Sequence, residues 1–183
     1  TRLTCDWSSD VCSSDLTEVS QCGNGARCFA LYIHKKNLSY KNPLTVETNA
    51  GLLVLNINSD NTVKVDMGMP NFEPSKIPLN LNQLSSEYNV GGHMLGSLSI
   101  GNPHAILIQD EIDNIDGIAS KIQSSDLFPE GVNVGFMKII NKQEIQLRVV
   151  ERGVGETHAC GSGACAAVIH GVRQGLLDSK VIV

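Results

Sequence analysis

The chain has 183 residues, of which 42% are hydrophobic and 18% charged, and its formal net charge is −5. That balance fits one folded domain or two small ones, argues against long disorder and supplies no basic footprint for nucleic acid. No run of eighteen apolar residues and no basic-then-apolar leader is legible, so neither a membrane span nor export is expected.

Residues 1–16, "TRLTCDWSSDVCSSDL", nearly repeat themselves and hold the only Trp, and they read as a non-native leader. Residues 22–35 open on a Gly-rich turn and continue as a helix apolar on nearly all sides. Short strands are expected at 44–48, 52–58 and 62–67, and "MGMPNFEPSKIP" (67–78) reads as an irregular connection. A polar, Gly-bearing stretch at 85–97 reads as the linker between domains. Two strands follow in 95–110, broken at Gly101-Asn102-Pro103. An amphipathic helix over 114–129 stops at Pro129, and 132–140 with 144–151 form a hairpin. After a loop at 152–163 comes a second apolar helix, 164–175. The terminal "SKVIV" reads as a strand with no partner inside the chain. Each half thus offers strands plus one hydrophobic helix, an internal repeat that implies pseudo-twofold architecture.

Chemistry concentrates where that repeat is clearest. "QCGNGARC" (21–28) returns as "ACGSGACA" (159–166), so Cys22 and Cys160 each precede a Gly-x-Gly turn and a helix. The N–H groups and positive dipole end of such a helix suit a carboxylate or phosphate. A cysteine at the same place has its thiolate favoured. Two such turns acting on one ligand would place a sulfur on each face of a carbon. That is the requirement for inverting a stereocentre, with one base, one acid and no cofactor. The pairs Cys22/Cys28 and Cys160/Cys165 are six and five residues apart, which does not match zinc spacing, so no metal is expected. Cys28 and Cys165 lie inside their helices and read as packing residues, and reduced thiols in a cytoplasm are the expected state.

These residues resemble the signatures of the diaminopimelate epimerase family. "EVSQCGNGARCFA" and "ERGVGETHACGSGACAAV" are similar to its two cysteine motifs, and "GNPHAI" and "EGVNVGF" to the motifs between them. The resemblance implies an α+β fold of two pseudo-symmetric domains, each a sheet wrapped around a central hydrophobic helix, with the active site between them. It implies Cys22 and Cys160 as the catalytic acid/base pair. Gly23, Asn24, Gly161 and Ser162 match the carboxylate cradle. Asn102 and Asn133 match substrate-binding asparagines, and Glu151 and Arg152 a pair that contacts substrate. Arg152 suits a distal carboxylate through its bidentate fork. Glu151 suits an ammonium, and His104 and Glu151 are further implied to support proton transfer. No cofactor is implied, the substrate is a small diamino diacid, and the parent is a cytoplasmic homodimer without nucleic-acid or membrane partners.

The family's element before the first signature is replaced here by "SSDLTE", with Glu18 retained. The expected organisation is therefore a leader at 1–16, a partial first domain at 17–90 and a second domain at 91–183 lacking its last strands. Two other readings remain open at this point: another amino-acid or proline racemase, or a catalytically inactive fragment.

Overall fold

The computed structural model describes residues 22–49 and 51–183, so the leader expected at 1–16 lies outside the described residues. Two compact units emerge. The first runs to Met69 and includes Ala159–Gly161; the second comprises Pro70–His158 and Ser162–Val183.

The first unit holds α1 (Gly23–Lys35) and an antiparallel meander of β1 (Leu44–Thr48), β2 (Gly51–Ile57) and β3 (Val63–Asp66). Cys22 starts the helix in extended conformation, and its Sγ accepts the Gly25 N–H at 3.2 Å. Lys35 sits in the last turn, where its positive charge complements the negative end of the helix dipole. Strand alternation brings Val46 opposite Leu53 and Leu44 opposite Leu55. Ala26 and Ala30 pack on Val46, Leu53 and Leu55, with Phe29 at the edge. The buried part of α1 is thus a narrow alanine stripe. The expectation of a helix buried on nearly all sides does not hold among the described residues, and Cys28 is exposed instead of packed.

The second unit is a six-stranded sheet in the order β4 (Tyr88–Val90), β5 (His93–Ser99), β6 (Pro103–Ile108), β7 (Asn133–Asn141), β8 (Glu144–Glu151) and β9 (Gly155–Thr157). All neighbours run antiparallel except β6 and β7, which are parallel and joined through α2 (Asp116–Gln123). On one face Leu95, Ala105, Leu107, Val134, Phe136 and Val150 form a core with Ala119 and Ile122 of α2. The alternate residues, Gly96, His104 and Ile106 among them, point to the other face. There α3 (Gly161–Arg173) packs, with the His170 ring against Gly96. Coverage on both faces explains why "PHAIL" in β6 is buried throughout instead of alternating.

Several expectations change. The stretch read as a linker, 85–97, contains the β4–β5 hairpin, with Val90 and Leu95 in the core, and the compact units divide at Met69–Pro70. The hairpin turns on Gly91-Gly92, both at positive φ (59° and 86°), the two-residue geometry that glycines supply most readily. The terminal segment does find a partner. Ile182 N–H donates to the Gln143 carbonyl at 2.8 Å, and Ile145 N–H donates to Ile182 at 2.9 Å, beside the start of β8. Helix α2 ends at Gln123, well before Pro129, where a serine hydroxyl takes over a backbone donor: Leu127 N–H donates to Ser125 Oγ at 3.2 Å instead of continuing the helical ladder. No helix among the described residues is long and apolar enough to cross a membrane.

Candidate active site

Both Cys-Gly pairs, Cys22-Gly23 and Cys160-Gly161, belong to the first unit. There Asn24 Nδ2 donates to the Ala159 carbonyl at 3.0 Å, so the residue after the Cys22-Gly23 pair binds the residue before Cys160. The two backbones meet at Gly23 and Gly161. A Cβ on Gly23 would lie 3.9 Å from Gly161 Cα, and one on Gly161 would lie 3.8 Å from Gly23 Cα. The remaining space beside Gly23 is taken by Met67, whose Sδ would stand 3.2 Å from such a Cβ. Asp66 Oδ1 accepts the Gly68 N–H at 3.0 Å, a tight turn that aims Met67. Cys22 and Cys160 are both half-buried. Each stands immediately before a helix whose first turn carries no acidic residue, so the terminal N–H groups offer undiminished positive potential.

The second unit positions the other predicted residues. Strands β6 and β7 set His104 beside Asn133 in parallel register. The His104 ring is fully buried, with Nε2 3.0 Å from both Asn102 Oδ1 and Ser162 Oγ. Asn102 Nδ2 donates to Ser162 Oγ at 3.2 Å, which closes a triangle of side chains. His104 Nδ1 is buried and has no hydrogen-bond partner among the described residues. Burial holds the His104 pKa down to about 3, so the ring is neutral in neutral solution. The neutral imidazole stands at hydrogen-bond distance from both Asn102 and Ser162 and holds the two side chains together.

Asn133 is buried, and its Oδ1 accepts the Arg152 N–H at 2.8 Å. Its oxygen therefore anchors the backbone at the end of β8. Arg152 itself is exposed, folded over Gly131, and one guanidinium nitrogen donates to the Glu130 carbonyl at 2.6 Å. Glu151 Oε1 accepts the Thr157 hydroxyl at 2.5 Å across β8 and β9. Three supporting residues escape the sequence reading. Thr157 orients Glu151. Gln123 Nε2 donates to the carbonyls of Val132 at 3.1 Å and Val150 at 3.2 Å, one residue ahead of Asn133 and Glu151 respectively. Arg148 forks onto Glu156 at 2.6 and 2.8 Å and also donates to the Ile112 and Asp113 carbonyls, which fixes β9. A Thr in the middle of a predicted loop and an Arg alternating outward on a strand carry no sequence signal of these roles. No cluster of three metal-ligating side chains occurs among the described residues.

The fold is a mixed α+β one shared with several solved proteins. It is similar to a probable proline racemase from Agrobacterium radiobacter (TM-score 0.56, 16% identity, covering 85% of this chain and 53% of that one). It is also similar to a PhzF-family phenazine biosynthesis protein from Bacillus anthracis (TM-score 0.53, 18% identity, 90% and 60%). The family model for diaminopimelate epimerase matches residues 4–73 and 96–183, and the chain belongs to the diaminopimelate epimerase family. A diaminopimelate epimerase from Vesicomyosocius okutanii is 53% identical over 175 residues; the match covers 94% of this chain and 65% of that relative, so the chain spans just under two thirds of its length.

Proposed function

We propose that the chain carries the active-site residues of a diaminopimelate epimerase, which interconverts LL- and meso-diaminopimelate for lysine and peptidoglycan biosynthesis by two-thiol chemistry. The observation that supports it best is the pairing of two Cys-Gly helix starts, joined by the Asn24 amide on the Ala159 carbonyl. In this reading one cysteine, as thiolate, removes the α-proton while the other, as thiol, delivers a proton to the opposite face. The electron pair left on the α-carbon spreads into the carboxylate. The N–H groups at Gly23, Asn24, Gly161 and Ser162 stabilise that charge, an effect commonly worth several kcal/mol in a dry site. After turnover the thiol and thiolate have exchanged roles, so the reverse reaction uses the same groups.

Asn102 and Asn133 are assigned to substrate binding, Arg152 to the distal carboxylate and Glu151 to an ammonium group. His104 supports proton transfer indirectly, by fixing Asn102 and Ser162. The proposal includes a cytoplasmic, homodimeric enzyme that acts on a small molecule without a cofactor. The test is α-deuterium incorporation into LL-diaminopimelate in deuterated water, with and without pyridoxal phosphate or divalent metal. Incorporation without additives is expected. A strict requirement for either additive defeats the two-thiol chemistry, and exchange into proline but not diaminopimelate replaces the substrate assignment.

A further inference from the structure

Arg27 takes no part in the chemistry above, yet it stands next to its most sensitive dimension. Three residues along α1 from Asn24, it shares a helix face with it, and its guanidinium donates to Asn24 Oδ1. Asn24 in turn donates through Nδ2 to the Ala159 carbonyl at 3.0 Å. The two ends of this chain differ in polarity. A guanidinium only donates and a carbonyl only accepts, while an amide between them has one atom of each kind. Arg27 therefore selects one of the two amide orientations of Asn24, the one that presents N–H to Ala159. If the amide turned over, oxygen would face oxygen at Ala159 and nitrogen would face guanidinium at Arg27.

We infer that Arg27 is a positioning residue: acting through Asn24, it fixes the Ala159-Cys160-Gly161 segment against the Cys22 turn. The close approach of Gly23 and Gly161 gives the segment a surface to rest on, and the Arg27–Asn24 pair supplies the directional bond that holds it there. The spacing matters because both sulfurs must address one carbon. A misplacement of about 1 Å at a reacting group lowers a rate by about 100-fold. Arg27 is exposed and its stem is not part of the unit's core, so its removal leaves the packing of α1 on β1–β3 in place.

The catalytic half of this inference rests on the proposed epimerase reading; the structural half does not, and the experiment separates them. Amide hydrogen exchange is followed by mass spectrometry in peptides covering 158–162 and, as an internal reference, in β1–β3. The variants are Arg27→Met, Arg27→Lys and Asn24→Asp; the last keeps the acceptor for Arg27 but cannot donate to Ala159. Exchange at 158–162 is expected to quicken by about tenfold in Arg27→Met and Asn24→Asp, and by less in Arg27→Lys, with β1–β3 unchanged. In the epimerase assay Arg27→Met is expected to lose about tenfold or more in kcat while KM stays within about threefold, with partial recovery in Arg27→Lys. Exchange at 158–162 within twofold of the parent in Arg27→Met overturns the inference. So does quickened exchange with an unaltered kcat. If β1–β3 also lose protection in Arg27→Met, Arg27→Lys and Asn24→Asp decide by the same criteria. Quickened exchange in a chain whose parent has no epimerase activity leaves the strut standing and removes the epimerase reading.

Discussion

Gly96→Ala adds one methyl group at a place where the structure leaves no room for it. A Cβ there would sit 2.1 Å from His170 Nδ1, 2.2 Å from Cε1 and 2.7 Å from Cγ. Ordinary contact between such atoms is about 3.5–4.0 Å, so the ring must retreat by more than 1 Å. Neither partner can do so easily. Gly96 is paired with Ile106 inside the sheet, and His170 is only 3% exposed on α3. Overpacking of this kind costs about 1–3 kcal/mol, which in a chain of this size lowers the melting midpoint by about 2–4 °C per kcal/mol. The assay is urea unfolding followed by circular dichroism on the parent, Gly96→Ala, His170→Ala and the double variant. Because the clash needs both groups, the double variant should be more stable than the sum of the single losses allows, with coupling of about 1 kcal/mol or more. A Gly96→Ala protein within about 0.5 kcal/mol of the parent, or losses that simply add, would refute the reasoning.

Other outcomes follow from the same geometry. Cys22→Ala and Cys160→Ala should each abolish epimerisation, whereas Cys28→Ala, on the exposed side of α1, should leave turnover near that of the parent; kinetics of the three variants test this. Gln123→Met removes the donor shared by the Val132 and Val150 carbonyls and should cost about 1–3 kcal/mol in urea unfolding while raising KM. Acidification should destabilise the second unit. Burial holds His104 down to about 3, and burial with the charge of Arg173 holds His170 down to about 4, whereas in the unfolded chain both titrate near 6.5. The unfolded chain thus gains protons that the native one refuses. Stability is complete above pH 6.5 and falls toward pH 4, with a slope on the order of 1 kcal/mol per pH unit for each histidine. His170→Asn should flatten the unfolding midpoint plotted against pH. Glu87 Oε1 lies 3.9 Å from His170 Nε2, too far to hold the proton against burial.

The candidate-site residues at the two cysteine turns were legible because their signals are local. A Cys-Gly-x-Gly start before an apolar run fixes a helix and what stands at its mouth, and Cys22 does cap α1. The strands of the β7–β8 hairpin likewise follow from β-branched runs around a polar turn. Misreadings arose where a long-range contact decides. Helix α3 begins at Gly161, not 164, because Gly161-Ser162-Gly163 adopt helical geometry, with Ser162 bonded to His104, whereas glycines alone read as a loop. The β9 strand is three residues long and is held by Arg148 through Glu156, a tie visible only once both strands are side by side. The partner of Ile182 lies some forty residues upstream, beyond any local pattern. Thr157, Gln123 and Arg27 act on backbone or on other side chains, and their residue types are ordinary for exposed positions.

The parallel pairing of β6 and β7 has a consequence for where this chain can grow. Because the two strands start at the same end, His104 and Asn133 share the first rung of their ladder. The connection leaves β6 at the opposite end and returns to β7 beside that rung. Extra residues placed between Asp110 and Glu111, both exposed, would lengthen a closed path whose entropy changes only slowly with length, by about 0.6 kcal/mol per doubling. They would be added far along the strands from His104. The returning arm is different. Phe128 and Val132 are buried there, and Gly131 lies under Arg152, so an insertion between 124 and 132 would displace the residue that leads into Asn133. One crossover thus has an arm open to elaboration and an arm closed to it, and length variation among natural or engineered versions should collect on the first.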